Sequence, residues 1–238
     1  MLGLAIHTTS PQLGLMIQSV DGIATEGSQM QRQHQVWDLG RAVSSQFHVK
    51  LMEFIAPYSW QDVSFVAVAK GPGGFTGTRI GVVAARTLAQ QLDIPLFGVS
   101  SLAAIAAQTL ESESVISKRN TSKRNASNHR ASEYSEYIVV TMPAKRNAVY
   151  GAIFRADAQG SLESVQEEAV VPREDWSAKI AQWQSEGKVM REIRPTAGAG
   201  TAESVTGVMA LALAQWKLGK RPQWTSVVPF YGQHPVRC

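Results

Sequence analysis

Residues 71–81 read Gly-Pro-Gly-Gly-Phe-Thr-Gly-Thr-Arg-Ile-Gly. Before them lies the apolar, β-rich run Phe65-Val66-Ala67-Val68-Ala69. After them Ile80, Val83, Ala84, Thr87, Leu88 and Gln91 recur at helical spacing. The stretch is therefore a strand-to-helix connection in which Gly71, Gly73, Gly74 and Gly77 are concentrated. Glycine reaches positive φ and lets a second backbone come close. The helix that follows begins with unpaired N–H groups, which can meet an anion or a partner's carbonyl. Two readings stay open, a tight structural turn and a binding loop. Spacing excludes two phosphate motifs. No lysine follows Gly77, as a Walker A loop requires, and a G-x-G-x-x-G frame from Gly71 would need glycine at Thr76. Arg79, in the first turn of the helix, could hold an anion, although a single arginine there is usually a solvated surface residue.

Outward from this loop the pattern is that of an α/β lobe. Residues 2–8 and 14–20 read as a hairpin around Ser10-Pro11-Gln12, and a third strand is predicted over 22–30 after the Asp21-Gly22 turn. Residues 36–55 read as a helix with the apolar stripe Val36, Leu39, Val43, Phe47, Leu51 and Phe54, ended by Pro57. A strand over 64–69, a helix from Arg79 to Leu92, a strand over 95–99 and a helix over 100–110 capped by Ser100 or Ser101 complete the lobe. Residues 111–135 break the pattern. They are rich in Ser, Asn, Lys, Arg and Glu, repeat Ser-Lys-Arg-Asn at 117–120 and 122–125, and read as a loosely ordered insertion. Strands are predicted again over 137–141, 148–155 and 161–171, then a helix over 172–186 with Trp176, Ile180 and Trp183 on one face. A last apolar helix over 202–218, capped by Thr201, precedes an irregular tail with Pro229 and Pro235. The division expected is a first lobe over 1–110, the insertion over 111–135, and a second lobe with tail over 136–238.

Composition narrows the function classes. The chain has 238 residues, 44% hydrophobic and 18% charged, as ordinary soluble domains have. No run reaches the ~18 apolar residues of a membrane helix, and the opening Met1-Leu2-Gly3-Leu4-Ala5-Ile6 reads as a strand without a basic leader. Cys238 is the single cysteine, so no intrachain disulfide can form and a cytoplasmic location is expected. The net charge of +4 is local: Lys118, Arg119, Lys123, Arg124 and Arg130 fall within thirteen residues, and without them 18 Lys and Arg face 19 Asp and Glu. That segment reads either as a solvated loop or as a basic arm for RNA or an acidic partner. It lacks the aromatic interleaving of a stacking platform, Tyr134 and Tyr137 lying outside it.

Catalytic constellations are scarce. The five histidines are His7, His34, His48, His129 and His234, the closest pair fourteen apart, so no two share one helix face as a zinc or iron pair would. Ser100 and Ser101 follow a strand outside any G-x-S-x-G elbow. A phosphotransferase would need one carboxylate facing the phosphates and another as base. Asp21, Asp38, Asp62 and Asp93 all fall at turns or helix edges. No catalytic residue, cofactor or metal ligand is assigned, and His7 reads as a half-buried histidine at a strand end.

Leu4-Ala5-Ile6-His7-Thr8-Thr9, the hairpin and helix that follow, and Gly-Pro-Gly-Gly-Phe-Thr-Gly-Thr-Arg-Ile-Gly together resemble the TsaB (YeaZ) family. The family pattern at the loop is Gly-Pro-Gly-Ser-Phe-Thr-Gly, a hydrophobic residue, then Arg-Ile-Gly, so only Gly74 and Thr78 differ. Residues 94–102, and more weakly Pro143-Ala144-Lys145 through Val149-Tyr150 and Pro229-Phe230-Tyr231, also resemble it. The resemblance implies a two-lobed α/β fold of the actin/sugar-kinase/Hsp70 (ASKHA) type, with mixed sheets flanked by helices. It implies a subunit without activity of its own in threonylcarbamoyladenosine (t6A) modification of tRNA. The implied partners are the transferase TsaD and the ATPase TsaE, with tRNA met indirectly and homodimers formed when the chain is alone. Contact with TsaD would use first-lobe helices, here Val36, Leu39, Val43, Phe47, Arg79, Ile80, Val83 and Thr87, with the small residues Gly81, Ala84 and Ala85 permitting close approach. This sequence departs from the pattern in carrying His7 for the strand-end aspartate. It also has Pro143 and Ala148 for two acidic residues, Lys145 for an arginine, and no arginine after Tyr231. A diverged nucleotide-binding phosphotransferase of the same fold is the alternative.

Overall fold

Leu2–His7 (β1) is buried along its whole length, because it runs down the middle of a sheet covered on both faces. The computed structural model describes residues 1–20, 32–56, 58–121, 136–156, 162–195 and 201–232. On one side β1 pairs antiparallel with β2 (Gln12–Ser19), from Leu2 opposite Ser19 to His7 opposite Gly14. On the other it pairs parallel with β4 (Val63–Ala69), which pairs parallel with β5 (Leu96–Val99). β3 (Arg32–Asp38) closes the far edge antiparallel to β2, giving the order β3-β2-β1-β4-β5.

Period-2 alternation sorts the strand side chains onto two faces. Leu4 and Ile6 of β1 and Val66 and Val68 of β4 face α1 (Val43–Ile55) and α2 (Phe75–Leu92), meeting Phe47, Leu51, Val82 and Ala85. Ala5, Phe65 and Ala67 face the other way, onto Val208, Met209 and Ala212 of α5 (Val205–Lys217). α3 (Ser101–Thr121) lies between the lobes. Ala104 joins the α5 side, while Leu102, Ile105 and Ala106 pack on Ile138 and Val140 of the second sheet. That sheet runs β8 (Leu162–Pro172), β7 (Ala148–Ala156), β6 (Glu136–Pro143), β9 (Met190–Ile193), with β9 parallel to β6. α4 (Arg173–Ser185) covers its outer face through Trp176 and Ile180.

Several sequence expectations are corrected. Val36 belongs to β3, opposite Gly14, and not to a helix. Gly40, with a φ of +52°, opens a short 3₁₀ turn over Gly40–Ala42, so α1 starts only at Val43. The strand predicted over 22–30 falls outside the described residues except that the chain is already in β3 at Arg32. α2 begins at Phe75 instead of Arg79, inside the glycine stretch. The segment 111–135 opens as a continuation of α3, which runs to Thr121, and Arg32 of β3 pairs with Glu111 at 3.1 Å; residues 122–135 lie outside the described residues. Ser100 does cap α3, its Oγ accepting from the N–H groups of Leu102 and Ala103. Thr201 does not cap α5, because a short 3₁₀ turn over Thr201–Ser204 intervenes. β9, only four residues long, has no counterpart in the sequence reading.

Candidate partner groove and interlobe cleft

The glycine stretch is shaped by what lies against it. The N–H of Gly74 donates to the carbonyl of Thr9 at 2.7 Å, and the Thr8 hydroxyl donates to the carbonyl of Gly77 at 2.8 Å. A Cβ on Gly73 or Gly77 would overlap the Thr9 or Thr8 carbonyl, and one on Gly81 would overlap the Thr8 hydroxyl. Glycines four apart thus give α2 a bare face on which the end of β1 lies. Gly71, with φ +108°, lies equally close to the Phe230 carbonyl, and the Phe230 N–H donates to that of Lys70 at 2.7 Å. At Gly74 an added Cβ would find ordinary contact distances, so this is the position where the loop tolerates the serine of the family pattern.

Two cavities open on either side of the start of α2. The first, about 580 Å³, is a groove between α1 and α2. Arg79, Ile80, Val83 and Thr87 line it from α2, and Ser44, His48 and Leu51 from α1. Of the eight residues expected at a partner surface, these four are brought together. Val83 is the most telling, an aliphatic side chain 53% exposed. Val36 and Leu39 stand elsewhere, half-buried in and after edge strand β3. Phe47 is buried in the first lobe's own core, and Val43, also buried, borders the interlobe cleft, so neither lines the groove. The sequence reading missed Val49 and Met52 on the outer face of α1 and Phe75 at the start of α2, all exposed. The signal was present: Ser45, Val49 and Met52 follow helical spacing opposite Phe47 and Leu51.

The second cavity, about 830 Å³, separates the lobes. Thr9, Ser10, the residues from Pro72 to Gly77, Ser101 and Thr201 line it from the first lobe's side, and Met142, Pro143 and Tyr150 from the second. Arg41 and Lys145 enter it from opposite lobes, and no Asp or Glu is among its lining residues. Behind Thr9 stands His7, fully buried where a half-buried residue was expected. Burial lowers its pKa to about 4, so the imidazole is neutral near pH 7. Its Nε2 lies 3.5 Å from the Thr9 hydroxyl, which lies 3.1 Å from that of Ser101. Among the described residues no cluster of three or more His, Cys, Asp or Glu could hold a metal ion.

Comparison with known proteins meets this geometry at the same segments. Residues 50–122, from within α1 through α3, match the family model described as TsaD, tRNA N6-adenosine threonylcarbamoyltransferase. A stretch of 116 residues is 40% identical to the tRNA threonylcarbamoyladenosine biosynthesis protein TsaB of Bacillus subtilis, covering 48% of this chain and 47% of that protein. The TsaB protein of Buchnera aphidicola is 34% identical over 77 residues. Over these segments the chain is similar to TsaB proteins. YeaZ from Pseudomonas aeruginosa superposes with a TM-score of 0.64 over 97% of this chain and 99% of that one, at 21% identity, and so shares the fold. The two-lobed α/β architecture, mixed sheets with helices on their faces, is therefore observed as the resemblance implied. The sequence matches span about half the length of the Bacillus relative. Within the TsaB/YeaZ pattern, two of the replaced positions, Pro143 and Lys145, line the interlobe cleft, and His7 stands behind it. No helix among the described residues is long and apolar enough to cross a membrane.

Proposed function

We propose that this chain is a TsaB/YeaZ-type partner subunit in t6A modification of tRNA, without activity of its own, and that it binds a TsaD-type transferase through α1 and α2. The observation that carries this reading is the open groove between those helices, lined by Arg79, Ile80, Val83 and Thr87. Exposed Phe75 lines the same groove, and Val49 and Met52 are exposed on the outer face of α1. Aliphatic side chains half or more exposed on two neighbouring helices cost solvation in a monomer and gain it back in a complex. Arg79 at the groove's end supplies a directional polar contact, and small Ala84 lets a helix come close. Binding there would hold the transferase in its working arrangement, with TsaE docking on the pair and tRNA met through the complex. Alone, the same face would pair two copies of this chain.

The phosphotransferase alternative finds no support in the cleft, because no carboxylate lines it and the imidazole at the end of β1 is buried and neutral. The test is co-elution of this chain with the TsaD of the same organism on size exclusion with light scattering. A stoichiometric complex that Arg79→Glu or Val83→Glu weakens supports the reading. Two proteins that elute separately overturn it.

A further inference from the structure

From Ser204 to Cys238 the sequence has no Asp or Glu, while Lys217, Lys220, Arg221 and Arg237 are cationic. The run Trp216-Lys217-Leu218-Gly219-Lys220-Arg221-Pro222-Gln223-Trp224 sets the first three of these between two tryptophans. It leaves α5 at Lys217 and is pinned to the start of β5, where the Leu96 N–H donates to the Pro222 carbonyl at 3.2 Å. α5 spends its apolar side on the sheet through Val208, Met209 and Ala212. Leu218, just beyond the helix, is 75% exposed.

Each tryptophan carries a guanidinium. Trp216 packs on Phe65 of the core with ring centroids 5.2 Å apart, and the Arg221 guanidinium lies 3.3 Å from the Trp216 centroid. Arg221 Nη1 donates to the carbonyls of Trp216 and Lys220 at 2.9 and 2.7 Å, which holds the fork in place. Trp224 packs against the α2 side of the core, and Arg86 of α2 stands over its ring at 5.4 Å. Three residues of chain separate Arg221 from Trp224, a reach of at most ~11 Å, so the two stacks lie close together. Among the described residues no carboxylate pairs with Arg86, Lys217, Lys220 or Arg221.

A surface of one charge sign attracts a polyanion. A guanidinium held flat on an aromatic ring offers donors to phosphate at its rim and a plane on which an unpaired base can stack. An anionic membrane would need a broad apolar face beneath the cations. Here Leu218 is the one large aliphatic side chain between Trp216 and Trp224, and the apolar side of α5 is spent on the core. We propose that the surface from Trp216 to Trp224, with Arg86, binds RNA directly, its lysines on phosphates and the Arg221 plane against an unpaired base. None of these residues lines the α1–α2 groove, so the proposal does not depend on the TsaD reading, and its test uses this chain alone.

The purified full chain is titrated into a fluorescein-labelled RNA stem-loop and followed by anisotropy. Competitors are poly-L-glutamate and vesicles of phosphatidylcholine and phosphatidylserine in equal parts. Saturable binding is expected, weakening tenfold or more between about 50 and 200 mM salt as phosphate contacts are lost to counterions. Neither competitor should displace the RNA at matched charge. Lys217→Glu with Lys220→Glu, both at exposed positions, should weaken binding tenfold or more with the melting temperature unchanged. Arg221→Lys, which keeps the charge and loses the flat stack, should weaken it threefold or more. No saturable binding overturns the proposal, and so does equal binding by the native chain and either variant, which would place the RNA on another basic segment. Displacement by polyglutamate or by the vesicles at matched charge overturns it as well, because the surface would then take an acidic protein or a membrane.

Discussion

At the scale of single residues, the end of β1 accounts for most of what is unusual here. His7 occupies the strand end at which the family pattern carries an aspartate, and burial holds its pKa near 4. The unfolded chain would titrate this imidazole near its ordinary value of 6.5. Between those values the unfolded state takes up a proton that the folded state refuses. Stability linked to His7 is therefore fully present above about pH 6.5 and is lost as pH falls toward 4. Going from pH 7 to 4.5, the native chain should lose roughly 2–3 kcal/mol more in urea unfolding than His7→Leu does; equal losses would mean that His7 is not neutral in the fold. A second prediction separates two glycines of one loop. Gly77→Ala puts a Cβ onto the Thr8 carbonyl and should cost about 1–3 kcal/mol. Gly74→Ser has room and an extended backbone at a helix N-cap, and should stay within about 0.5 kcal/mol of native or gain stability. A Gly77→Ala chain as stable as the parent would contradict the close packing described. The glycines were legible in the sequence as a loop, but what they pack against was not, because Thr8 and Thr9 lie some seventy residues away and carry no signal of their own.

At the scale of elements, α1 and α2 divide their residues between two tasks. Phe47 and Leu51 hold α1 to its sheet, whereas Val83, Arg79 and Thr87 look outward along the groove. Phe47→Ala should therefore destabilise the fold by about 3–5 kcal/mol. Val83→Glu should leave unfolding stability within about 0.5 kcal/mol and weaken TsaD capture. The reverse pattern would assign the wrong face to each helix. The sequence could not make this division, because Val36, Leu39, Val43 and Phe47 keep one helical period that the backbone does not follow. A positive φ at Gly40 separates strand from helix, and nothing in the spacing announces it. The glycine stretch was easier to read, since an apolar strand, a glycine cluster and a 3.6-residue period stand in unbroken order. β9 was invisible for the opposite reason: four residues, Met190–Ile193, are too few for alternation to show, and their pairing partner β6 is some fifty residues earlier.

At the scale of the whole molecule, α3 is the piece that makes two lobes into one body, giving residues to the core on each side. The tail reinforces it. Leu96 donates to the Pro222 carbonyl, Phe230 lies against Gly71, and Tyr231 stacks on Phe75 while its carbonyl accepts from the Tyr150 hydroxyl of the second lobe. Phe75, Thr76, Ile80 and Ser44 line both the groove and the cleft, so the two cavities share a wall. Neither cavity could be drawn from the sequence, because each is assembled from segments that only the fold brings together. The α1–α2 groove is proposed to receive a TsaD-type transferase. The most direct test is the affinity of this chain and of Val83→Glu for the TsaD of the same organism, by calorimetry at fixed salt. Tight one-to-one binding that the substitution weakens at least tenfold is the predicted result. No binding by the native chain, or equal binding by both, would contradict it.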